Sequence, residues 1–316
     1  MKMVVLEPLG VSEEKLRALA KEALGPGGEL VCFDSRADTP EEMVRRCEGA
    51  EVVALANQPL PAVVVEQCPA LRLLTVAFTG VDHIPLETCR KNGVTVCNCA
   101  GYSTAAVADL VFGMVISLYR RLAACDAAVR AGGTREGLVG FELEGKTFGV
   151  VGAGAIGRRV AAIAEAFGCR VLASSRTPRP ETGLSYVPLP ELLRESDIVS
   201  LHVPLSDATR GMIGREELAL MKPSALLINT ARGPVVDSEA LAGALRRGAI
   251  AGAGVDVFET EPPIPTDHPL FGAPNLIAAP HVAFATAEAL EKRAVIAFEN
   301  VRRWREGAPQ NLAGLH

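Results

Sequence analysis

Three short segments of the chain carry side chains of types that take part in catalysis, and each comes where a predicted β-strand ends. Residues 229–233 contain a guanidinium group, residues 259–262 contain two carboxylates, and residues 279–281 end in an imidazole. In open α/β sheets, ligands bind in the crevice outside the carboxyl ends of the strands. We therefore expect a cation, a carboxylate and an imidazole to converge there. Beside a bound dinucleotide, such a set could support hydride transfer to a carbonyl group.

A glycine-rich turn upstream of these segments predicts the dinucleotide site. Gly152-Ala153-Gly154-Ala155-Ile156-Gly157 follows a predicted strand at 146–151 and opens a helix expected at 158–167. In this setting the glycines allow a tight turn and a close approach of the backbone to a pyrophosphate, and the helix N-terminus faces the phosphates. A purely structural turn is the weaker interpretation, because a second strand follows at 170–174. The residues expected to hold the cofactor here are Gly152, Gly154, Ala155, Ile156 and Gly157.

The end of that second strand predicts which nicotinamide cofactor is preferred. An acidic residue normally stands there and accepts hydrogen bonds from the ribose 2′-hydroxyl of NAD. Here residues 173–179 contain no carboxylate, and Ser175, Arg176 and Arg179 could bind a 2′-phosphate instead. The alternative is that both arginines belong to a solvated surface turn. We expect NADP to be preferred, with NAD as the other possibility.

Composition and charge limit the classes of protein to which the chain can belong. It has 316 residues, enough for two domains, with 49% apolar residues and a formal net charge of −5. This balance argues against a general nucleic-acid or membrane-surface role, because phosphate binding needs a basic surface. The longest apolar segment, 105–118, is interrupted by Asp109 and Gly113 and is too short to span a membrane. We expect a soluble, cytoplasmic protein that binds neither nucleic acid nor membranes.

Cysteine usage gives no sign of a metal site or a disulfide framework. The eight cysteines include no Cys-x-x-Cys pair, and the closest two are Cys97 and Cys99. A metal at that pair would need two further ligands, for which the sequence offers no candidates. We expect reduced thiols and no metal.

Strands and helices alternate along the chain, which predicts parallel α/β sheets. In the first hundred residues we expect a helix at 12–24 and strands at 4–6, 52–56, 71–77 and 94–97. Further strands are expected at 146–151, 170–174, 197–203, 225–229, 252–257 and 276–279, followed by a long helix at 286–305. The predicted fold class is therefore α/β with two domains, the second built on a doubly wound parallel sheet.

Several of these motifs together resemble the D-isomer-specific 2-hydroxyacid dehydrogenase family, and the similarity covers nearly the whole chain. The segments that carry it are, in the family's order, 76–82, the glycine fingerprint, 202–205, 229–233, 254–258, Glu261-Pro262 and Pro280-His281. The resemblance implies a Rossmann-type sheet inserted into a smaller, flavodoxin-like α/β substrate domain. It implies a substrate-binding domain of residues 1–100 completed by 286–316, a dinucleotide-binding domain of residues 101–285, and a homodimer built around the helices after residue 100.

The resemblance also implies three catalytic residues. Arg232 would bind and polarise a 2-oxo acid, and its planar fork of donors suits adjacent oxygens better than a lysine would. His281 would donate the proton that the new alkoxide needs, because imidazole is matched to proton transfer near neutral pH. Glu261 would accept a hydrogen bond from His281, orient its ring and raise its pKa, with Glu259 as a competitor for this role. The other histidines are expected to be structural or exposed: His83, His202, His268 and His316.

Binding residues follow from the same resemblance. The loop at 78–81 is similar to the segment whose backbone amides hold the substrate carboxylate, and glycine there allows close approach. The residues expected to contact the substrate are Asn57, Phe78, Thr79, Gly80 and Arg232. In the cofactor cleft we expect Val203 and Pro204 near the adenosine half. The remaining cofactor residues are Thr209, Thr230, Ala231 and Asp256, the last as the partner of the carboxamide.

The expected function is NAD(P)H-dependent reduction of a small 2-oxo acid, of the glyoxylate, hydroxypyruvate or pyruvate type, to the D-2-hydroxy acid. The hydride would come from nicotinamide and the proton from His281. Three alternatives stay open: a D-3-phosphoglycerate dehydrogenase, a phosphite dehydrogenase and a dinucleotide-sensing, corepressor-like binding protein. Against a phosphorylated substrate, residues 57–59 contain no cation. The two domain crossings, near residues 100 and 285, are expected to serve as hinges that close the cleft.

Overall fold

The computed structural model of the protein describes residues 1–260 and 263–313. Its strands are β1 (Lys2–Val5), β2 (Glu29–Cys32), β3 (Val52–Leu55), β4 (Leu73–Val76), β5 (Thr95–Asn98), β6 (Thr147–Val151), β7 (Arg170–Ser174), β8 (Ser185–Tyr186), β9 (Ile198–Leu201), β10 (Leu226–Asn229), β11 (Gly252–Val255) and β12 (Leu276–Ala278). Its helices are α1 (Glu13–Leu24), α2 (Pro40–Arg46), α3 (Ala62–Gln67), α4 (Leu86–Lys91), α5 (Thr104–Tyr119), α6 (Leu122–Arg130), α7 (Ala155–Ala166), α8 (Leu189–Glu195), α9 (Arg215–Leu220), α10 (Ser238–Arg246) and α11 (Ala287–Arg305).

The chain divides into two compact units. The first comprises Met1–Ser103 and Ala285–His316, and the second comprises Thr104–Phe284. Within the described part of the chain, none of the helices combines the length and the apolar character that crossing a bilayer requires.

The described strands of the first unit form one parallel sheet in the order β2-β1-β3-β4-β5. This is the flavodoxin-like order, in which the sequence of strands reverses between the first and the third. The central strands β3 and β4 are apolar and buried along their whole length, as expected for a parallel sheet that is covered on both faces. The predicted α/β architecture of this part of the chain is confirmed.

The helix near the end of the chain completes the first unit. Thr286 caps α11 through its Oγ1, which accepts a hydrogen bond from the Ala289 amide at 3.2 Å. The Thr75 hydroxyl on β4 donates to the Ala297 carbonyl at 3.1 Å. The Asn300 side-chain amide donates to the carbonyl of Asn98 at 2.8 Å, at the end of β5. Residues from both ends of the sequence therefore build one core.

The described strands of the second unit form a parallel sheet in the order β12-β11-β10-β9-β6-β7-β8. Counted from β6, this is the Rossmann order with a seventh strand added, and it reverses between β6 and β9. Apolar side chains of α5 and α7 cover one face, including Val111 and Val160. Those of α8, α9 and α10 contribute to the cluster on the other, including Leu192, Leu218 and Leu241. The predicted doubly wound sheet is confirmed.

Several boundaries differ from the expected ones. The helix after the glycine turn begins at Ala155, so Gly157 lies within its first turn. The strands expected to end at residues 203 and 257 end at Leu201 and Val255, because the chain leaves the sheet there. The short strands β2 and β8 are additional to those expected.

Candidate active site

The glycine turn lies at the point where the order of the second sheet reverses. Gly152 follows β6 with φ +97°, in the region that favours glycine. A Cβ on Gly152 would come within 2.7 Å of the His202 carbonyl carbon, and a Cβ on Gly157 would come within 2.1 Å of the Gly152 oxygen. By contrast, a Cβ on Gly154 would meet open space. Side chains are therefore excluded where β6, α7 and the loop after β9 approach one another.

The end of β7 lies beside this turn, because the Gly152 amide donates to the Ser174 carbonyl at 2.8 Å. Ser175 is partly buried, and both Arg176 and Arg179 are exposed. The Ser175 hydroxyl donates to the Thr177 carbonyl at 3.4 Å. Across the described ranges of the chain, neither arginine forms a salt bridge. The strand end thus combines a hydroxyl group with two guanidinium groups that are not neutralised by a carboxylate.

The loop after β9 is tied to its own backbone. The Thr209 hydroxyl donates to the Pro204 carbonyl at 2.6 Å and accepts from the Ser206 amide at 2.8 Å. His202 precedes this loop, and its Nε2 lies 2.9 Å from the Ser200 hydroxyl oxygen. Burial lowers the pKa of His202 to about 4. Its imidazole is therefore neutral at pH 7 and is hydrogen-bonded to a side chain of its own segment.

The segment after β10 carries the arginine. Asn229 is buried, and its Oδ1 accepts the Ala231 amide at 3.1 Å while its Nδ2 donates to the Arg232 carbonyl at 3.0 Å. The Arg232 guanidinium donates from Nη1 to the Ala231 carbonyl at 2.8 Å. The following residue must be a glycine, because a Cβ on Gly233 would lie 2.0 Å from the Phe258 carbonyl carbon. The Thr230 hydroxyl is buried and has no hydrogen-bond partner among residues 1–260 and 263–313.

The segment after β12 carries the histidine, and the buried carboxylate of Asp256 fixes it. The His281 amide donates to the Asp256 carbonyl at 2.7 Å. The amides of Val282 and Ala283 donate to the two carboxylate oxygens of Asp256, each at 2.8 Å. His281 itself has φ +56°, which is uncommon for a residue with a side chain. Its ring meets the Phe284 ring edge-on, with centroids 5.6 Å apart.

Of the two candidate glutamates, Glu259 and Glu261, the first already has partners of its own. Glu259 Oε2 lies 3.0 Å from the Nε2 of His268, whose ring packs edge-on against Phe258. Although burial raises the pKa of Glu259, hydrogen bonds from Ser238 and His268 bring it below its ordinary value. Glu259 is therefore ionised and engaged by its neighbours. Glu261 and Pro262 lie outside the described residues.

In the first unit, the residues predicted to contact substrate lie where β3 and β4 end. Asn57 follows β3 and is partly buried, whereas Phe78 follows β4 and is buried. Thr79 and Gly80 continue the second of these loops. The Nε2 of His83 lies 2.9 Å from the Ala56 carbonyl oxygen, and its ring meets Phe78 edge-on. His83 therefore bridges the loops that carry Asn57 and Phe78.

Comparison with known proteins identifies the family. The sequence pattern described as D-isomer specific 2-hydroxyacid dehydrogenase, NAD binding domain, matches residues 112–283. The chain belongs to the D-isomer-specific 2-hydroxyacid dehydrogenase family. It is an oxidoreductase that reduces 2-oxo acids to D-2-hydroxy acids with a nicotinamide cofactor.

Relatives of this dehydrogenase agree with its sequence and fold along most of the chain. A glyoxylate reductase of Thermococcus litoralis is 42% identical over 284 residues, covering 86% of this chain and 85% of the relative. The structure of an acyclic imino acid reductase with NADPH and D-Arg matches with a TM-score of 0.91 at 29% identity, covering 99% of both chains. A D-lactate dehydrogenase of Aquifex aeolicus with NAD and lactic acid has a TM-score of 0.84 at 32% identity, covering 98% of this chain and 96% of that one.

The second unit of the dehydrogenase fits a dinucleotide. Gly154 leaves open space at the start of α7, where helix N–H groups face outward without intrahelical partners. The unpartnered hydroxyl of Thr230 is a buried polar group that a ligand would satisfy. Both features lie at the carboxyl edge of one sheet, since Gly154 follows β6 and Thr230 follows β10. The residues present there therefore suit the pyrophosphate and a polar group of the cofactor.

Two residues of the first unit were missed by sequence reasoning. The Glu7 carboxylate is buried and accepts the amides of Ala56 and Gln58, each at 2.8 Å. Arg36 donates from Nε to Glu7 at 3.0 Å and from Nη2 to the side-chain oxygen of Asn57. A signal for Glu7 was present, because an acidic residue directly follows the first apolar strand. Arg36 had none, because its partners are distant in the sequence.

Proposed function

We propose that this dehydrogenase reduces a small, unphosphorylated 2-oxo acid of the glyoxylate, hydroxypyruvate or pyruvate type, with His281 as the proton donor. The observation that carries the proposal is the left-handed backbone of His281, fixed by Asp256. Strained backbone persists only where its surroundings over-determine it, and it clusters at active sites. The glyoxylate reductase among the relatives supports the substrate class.

Arg232 is proposed to bind the substrate's carboxylate and its 2-oxo oxygen. A guanidinium presents five N–H donors in a planar fork, which matches two adjacent oxygens of a 2-oxo acid. The positive charge stabilises the negative charge that develops on the carbonyl oxygen during reduction. Asn229 supports this role, because its side chain fixes the backbone on both sides of Ala231.

Reduction of the carbonyl group needs a proton donor, and His281 is the residue proposed for this role. The nicotinamide cofactor, when bound, supplies the hydride. The former carbonyl oxygen then needs one proton, which His281 in its protonated form donates, leaving a neutral imidazole. The reverse oxidation returns that proton to the same ring.

Glu261 is proposed as the carboxylate that accepts a hydrogen bond from His281 and orients its ring. This choice is supported by the other candidate, Glu259, because its carboxylate is already hydrogen-bonded to His268 and Ser238.

The cofactor proposed to be preferred is NADP. Support comes from the end of β7, where Ser175, Arg176 and Arg179 present a hydroxyl group and two guanidinium groups. A 2′-phosphate is bound well by such donors, and the carboxylate that would repel it is absent from residues 173–179. In the relatives both cofactors occur, since one structure holds NADPH and another NAD.

A homodimer through the segment that follows α5 is proposed as the assembly. Helix α6 has no buried residue, and Leu122 and Val129 on it are 49% and 74% exposed. Val139 and Phe141, a few residues further on, are 83% and 61% exposed. Exposed apolar side chains this close together in the sequence support an interaction surface in this segment. Light scattering after gel filtration should give the mass of a dimer, and Val129→Asp combined with Phe141→Asp should give a monomer. A monomeric wild-type protein at micromolar concentration would refute the proposal.

Steady-state kinetics test the function directly. We would measure reduction of glyoxylate, hydroxypyruvate, pyruvate and longer 2-oxo acids, each with NADPH and with NADH. NADPH-dependent turnover of one acid supports both proposals, and turnover with NADH alone keeps the reductase and refutes the NADP preference. No turnover of glyoxylate, hydroxypyruvate or pyruvate would refute the proposed substrate class.

A further inference from the structure

Two buried thiols of the first unit meet where helices α2 and α3 end. Cys47 follows the last residue of α2 and is 1% exposed, and Cys68 follows the last residue of α3 and is 5% exposed. The two thiol groups are hydrogen-bonded to each other. The Cys68 sulfur also lies 4.0 Å from the carbonyl oxygen of Val44, in the last turn of α2. The side chain at the end of one helix therefore reaches the end of the other.

Other thiols of the chain are hydrogen-bonded to the backbone. Those of Cys99, Cys125 and Cys169 donate to carbonyl groups. Such a bond satisfies a thiol, whereas two sulfur atoms in contact can also be joined covalently as a disulfide. All eight cysteines are free thiols in the structure. Cys47 and Cys68 are thus a reduced pair whose sulfur atoms are already neighbours.

Both cysteines lie at helix ends, where the backbone can adjust to a disulfide. The two sulfur atoms would have to approach from hydrogen-bond contact to about 2.05 Å. Cys47 and Cys68 are outside the regular part of their helices, with ψ angles of 0° and 74°. Because helix ends fray more readily than helix interiors, a small shift of either residue leaves its helix intact.

The hydrogen bond makes the two thiols chemically unequal. The Cys47 S–H donates to the Cys68 sulfur, and this bond together with burial raises the pKa of Cys47. The same bond stabilises the thiolate of Cys68 and lowers its pKa, although burial acts in the opposite direction. A thiolate is the nucleophile in thiol oxidation. Cys68 is therefore the sulfur that reacts first, and Cys47 keeps a proton beside it.

We propose that Cys47 and Cys68 are a redox-sensitive modification site, at which hydrogen peroxide converts the two thiols into a disulfide. The Cys68 sulfur attacks one peroxide oxygen and the O–O bond breaks, which gives a sulfenic acid and a first water molecule. The Cys47 sulfur then attacks the Cys68 sulfur, the S–O bond breaks, and the hydroxyl group leaves with the Cys47 proton as a second water molecule. The two electrons lost by the sulfur atoms reduce the peroxide. A dithiol reverses the change by thiol–disulfide exchange.

The disulfide lies at the edge of the first sheet opposite the predicted substrate loops. Helices that connect parallel strands run back toward the amino ends of the strands, so α2 and α3 end at that edge. Lys2, the first residue of β1, is close by, because its Nζ donates to the carbonyl of Glu48, next to Cys47, at 2.8 Å. Asn57 and Phe78 instead follow the carboxyl ends of β3 and β4. Oxidation therefore acts on the scaffold of the first unit.

The cross-link restrains the centre of the first unit. It closes a loop of about 20 residues that contains the central strand β3 and helix α3. A disulfide that closes a loop of this length lowers the conformational entropy of the unfolded chain. The midpoint of thermal unfolding of the first unit should therefore rise by roughly 5–10 °C on oxidation.

Peptide mapping of the oxidised protein tests the proposal. The reduced full-length chain is treated with hydrogen peroxide, the remaining thiols are alkylated, and the chain is digested with trypsin and then with glutamyl endopeptidase. Trypsin leaves both cysteines in one peptide, residues 47–72, which the second protease cuts after Glu48 and Glu66. The fragments that contain Cys47 and Cys68 then stay joined only through the disulfide. We expect joined fragments after peroxide and separate fragments once dithiothreitol is added.

Three variants separate the roles of the two sulfur atoms. In Cys47→Ser, oxidation should stop at the sulfenic acid, which dimedone labels on Cys68. In Cys68→Ser, the Cys47 thiol should stay reduced and be recovered in alkylated form. Cys125→Ser removes a partly exposed thiol of α6 and is the matched control, in which the disulfide should still form. The rise of the unfolding midpoint should occur in the wild-type protein and the control and be absent from the other two variants.

The wild-type protein alone decides the proposal, so a variant that fails to fold does not obscure it. Recovery of Cys47 and Cys68 as alkylated thiols, at a peroxide concentration that oxidises glutathione in a parallel sample, would overturn it. So would a disulfide that joins Cys68 to any other cysteine. A disulfide between the two residues without a change of the unfolding midpoint would overturn the restraint on the first unit.

Discussion

Replacing Asp256 by Asn tests whether the buried carboxylate holds His281 in its working position. The substitution keeps the shape of the side chain but turns one acceptor oxygen into an N–H donor that faces a backbone N–H. Two hydrogen bonds to the charged group contribute about 3–6 kcal/mol together. The left-handed backbone of His281 costs about 1–2 kcal/mol. In the wild-type protein, the two hydrogen bonds to Asp256 therefore contribute more free energy than the left-handed backbone of His281 costs.

In the variant, one of the two bonds is lost and a buried donor is left unsatisfied, at a further cost of about 1–3 kcal/mol. The free energy contributed by the remaining hydrogen bond, less the cost of the unsatisfied donor, no longer exceeds the cost of the left-handed backbone of His281. We expect kcat to fall about ten-fold as the competent arrangement of His281 loses population. The midpoint of thermal unfolding of the second unit should fall by roughly 5–10 °C.

The assay pairs kcat for the preferred 2-oxo acid with thermal unfolding. Asp237→Asn is the matched control, because Asp237 also accepts a backbone amide, that of Ala240 at 2.9 Å, at the exposed N-cap of α10. Asn caps helices about as well as Asp, so this control should be nearly neutral. If Asp256→Asn behaves like Asp237→Asn in both measurements, the Asp256 carboxylate does not hold His281 in its working position.

Three further predictions concern the histidines and the cofactor. His281→Asn should lower turnover by about 10²–10⁴, and unaltered turnover in a stopped-flow assay would refute its role as acid. Arg176→Ala combined with Arg179→Ala should lower kcat/KM for NADPH about 10- to 100-fold relative to NADH, and an unchanged ratio would contradict the NADP site. For His202, the folded pKa of about 4 lies below the ordinary 6.5, so the unfolded chain binds the proton first as the pH falls. The stabilisation by the neutral ring is present above pH 6.5 and is lost as the pH falls toward 4. Between pH 7.5 and 5.0 the wild-type protein should therefore lose about 2 kcal/mol more unfolding free energy than His202→Gln in urea titrations, and parallel losses would contradict it.

The sequence was sufficient to predict the sheets, because their strands are short apolar runs separated by helical segments. The strands predicted at 197–203 and 252–257 continue past the last paired residues, Leu201 and Val255. Apolar pattern alone does not show where a chain turns out of a sheet. His202 and Asp256 lie just beyond these strand ends, and their amides donate to carbonyls of the neighbouring strands, those of Val151 and Asn229.

The candidate site was predictable only where its partners are close in the sequence. Asn229 and Arg232 form one local turn, and their association follows from the sequence. Glu7, Arg36 and Asn57 come from three different strand ends and meet only because β1 lies between β2 and β3. The side-chain role of Asp256 was not foreseen, since its carboxylate binds amides 26 and 27 residues further along. Its place beside the carboxamide stays a prediction.

The contribution of α11 to the first unit has a consequence for biosynthesis. The ribosome makes the first 103 residues early. Helix α11, which contributes Ala297 and Asn300 to the core of the first unit, is made only after the second unit. Domains fold as units as they emerge. The second unit, which is continuous in sequence, can therefore fold on the nascent chain, while the first must wait with β4 and β5 incompletely covered. During that interval the nascent chain exposes apolar surface that chaperones recognise.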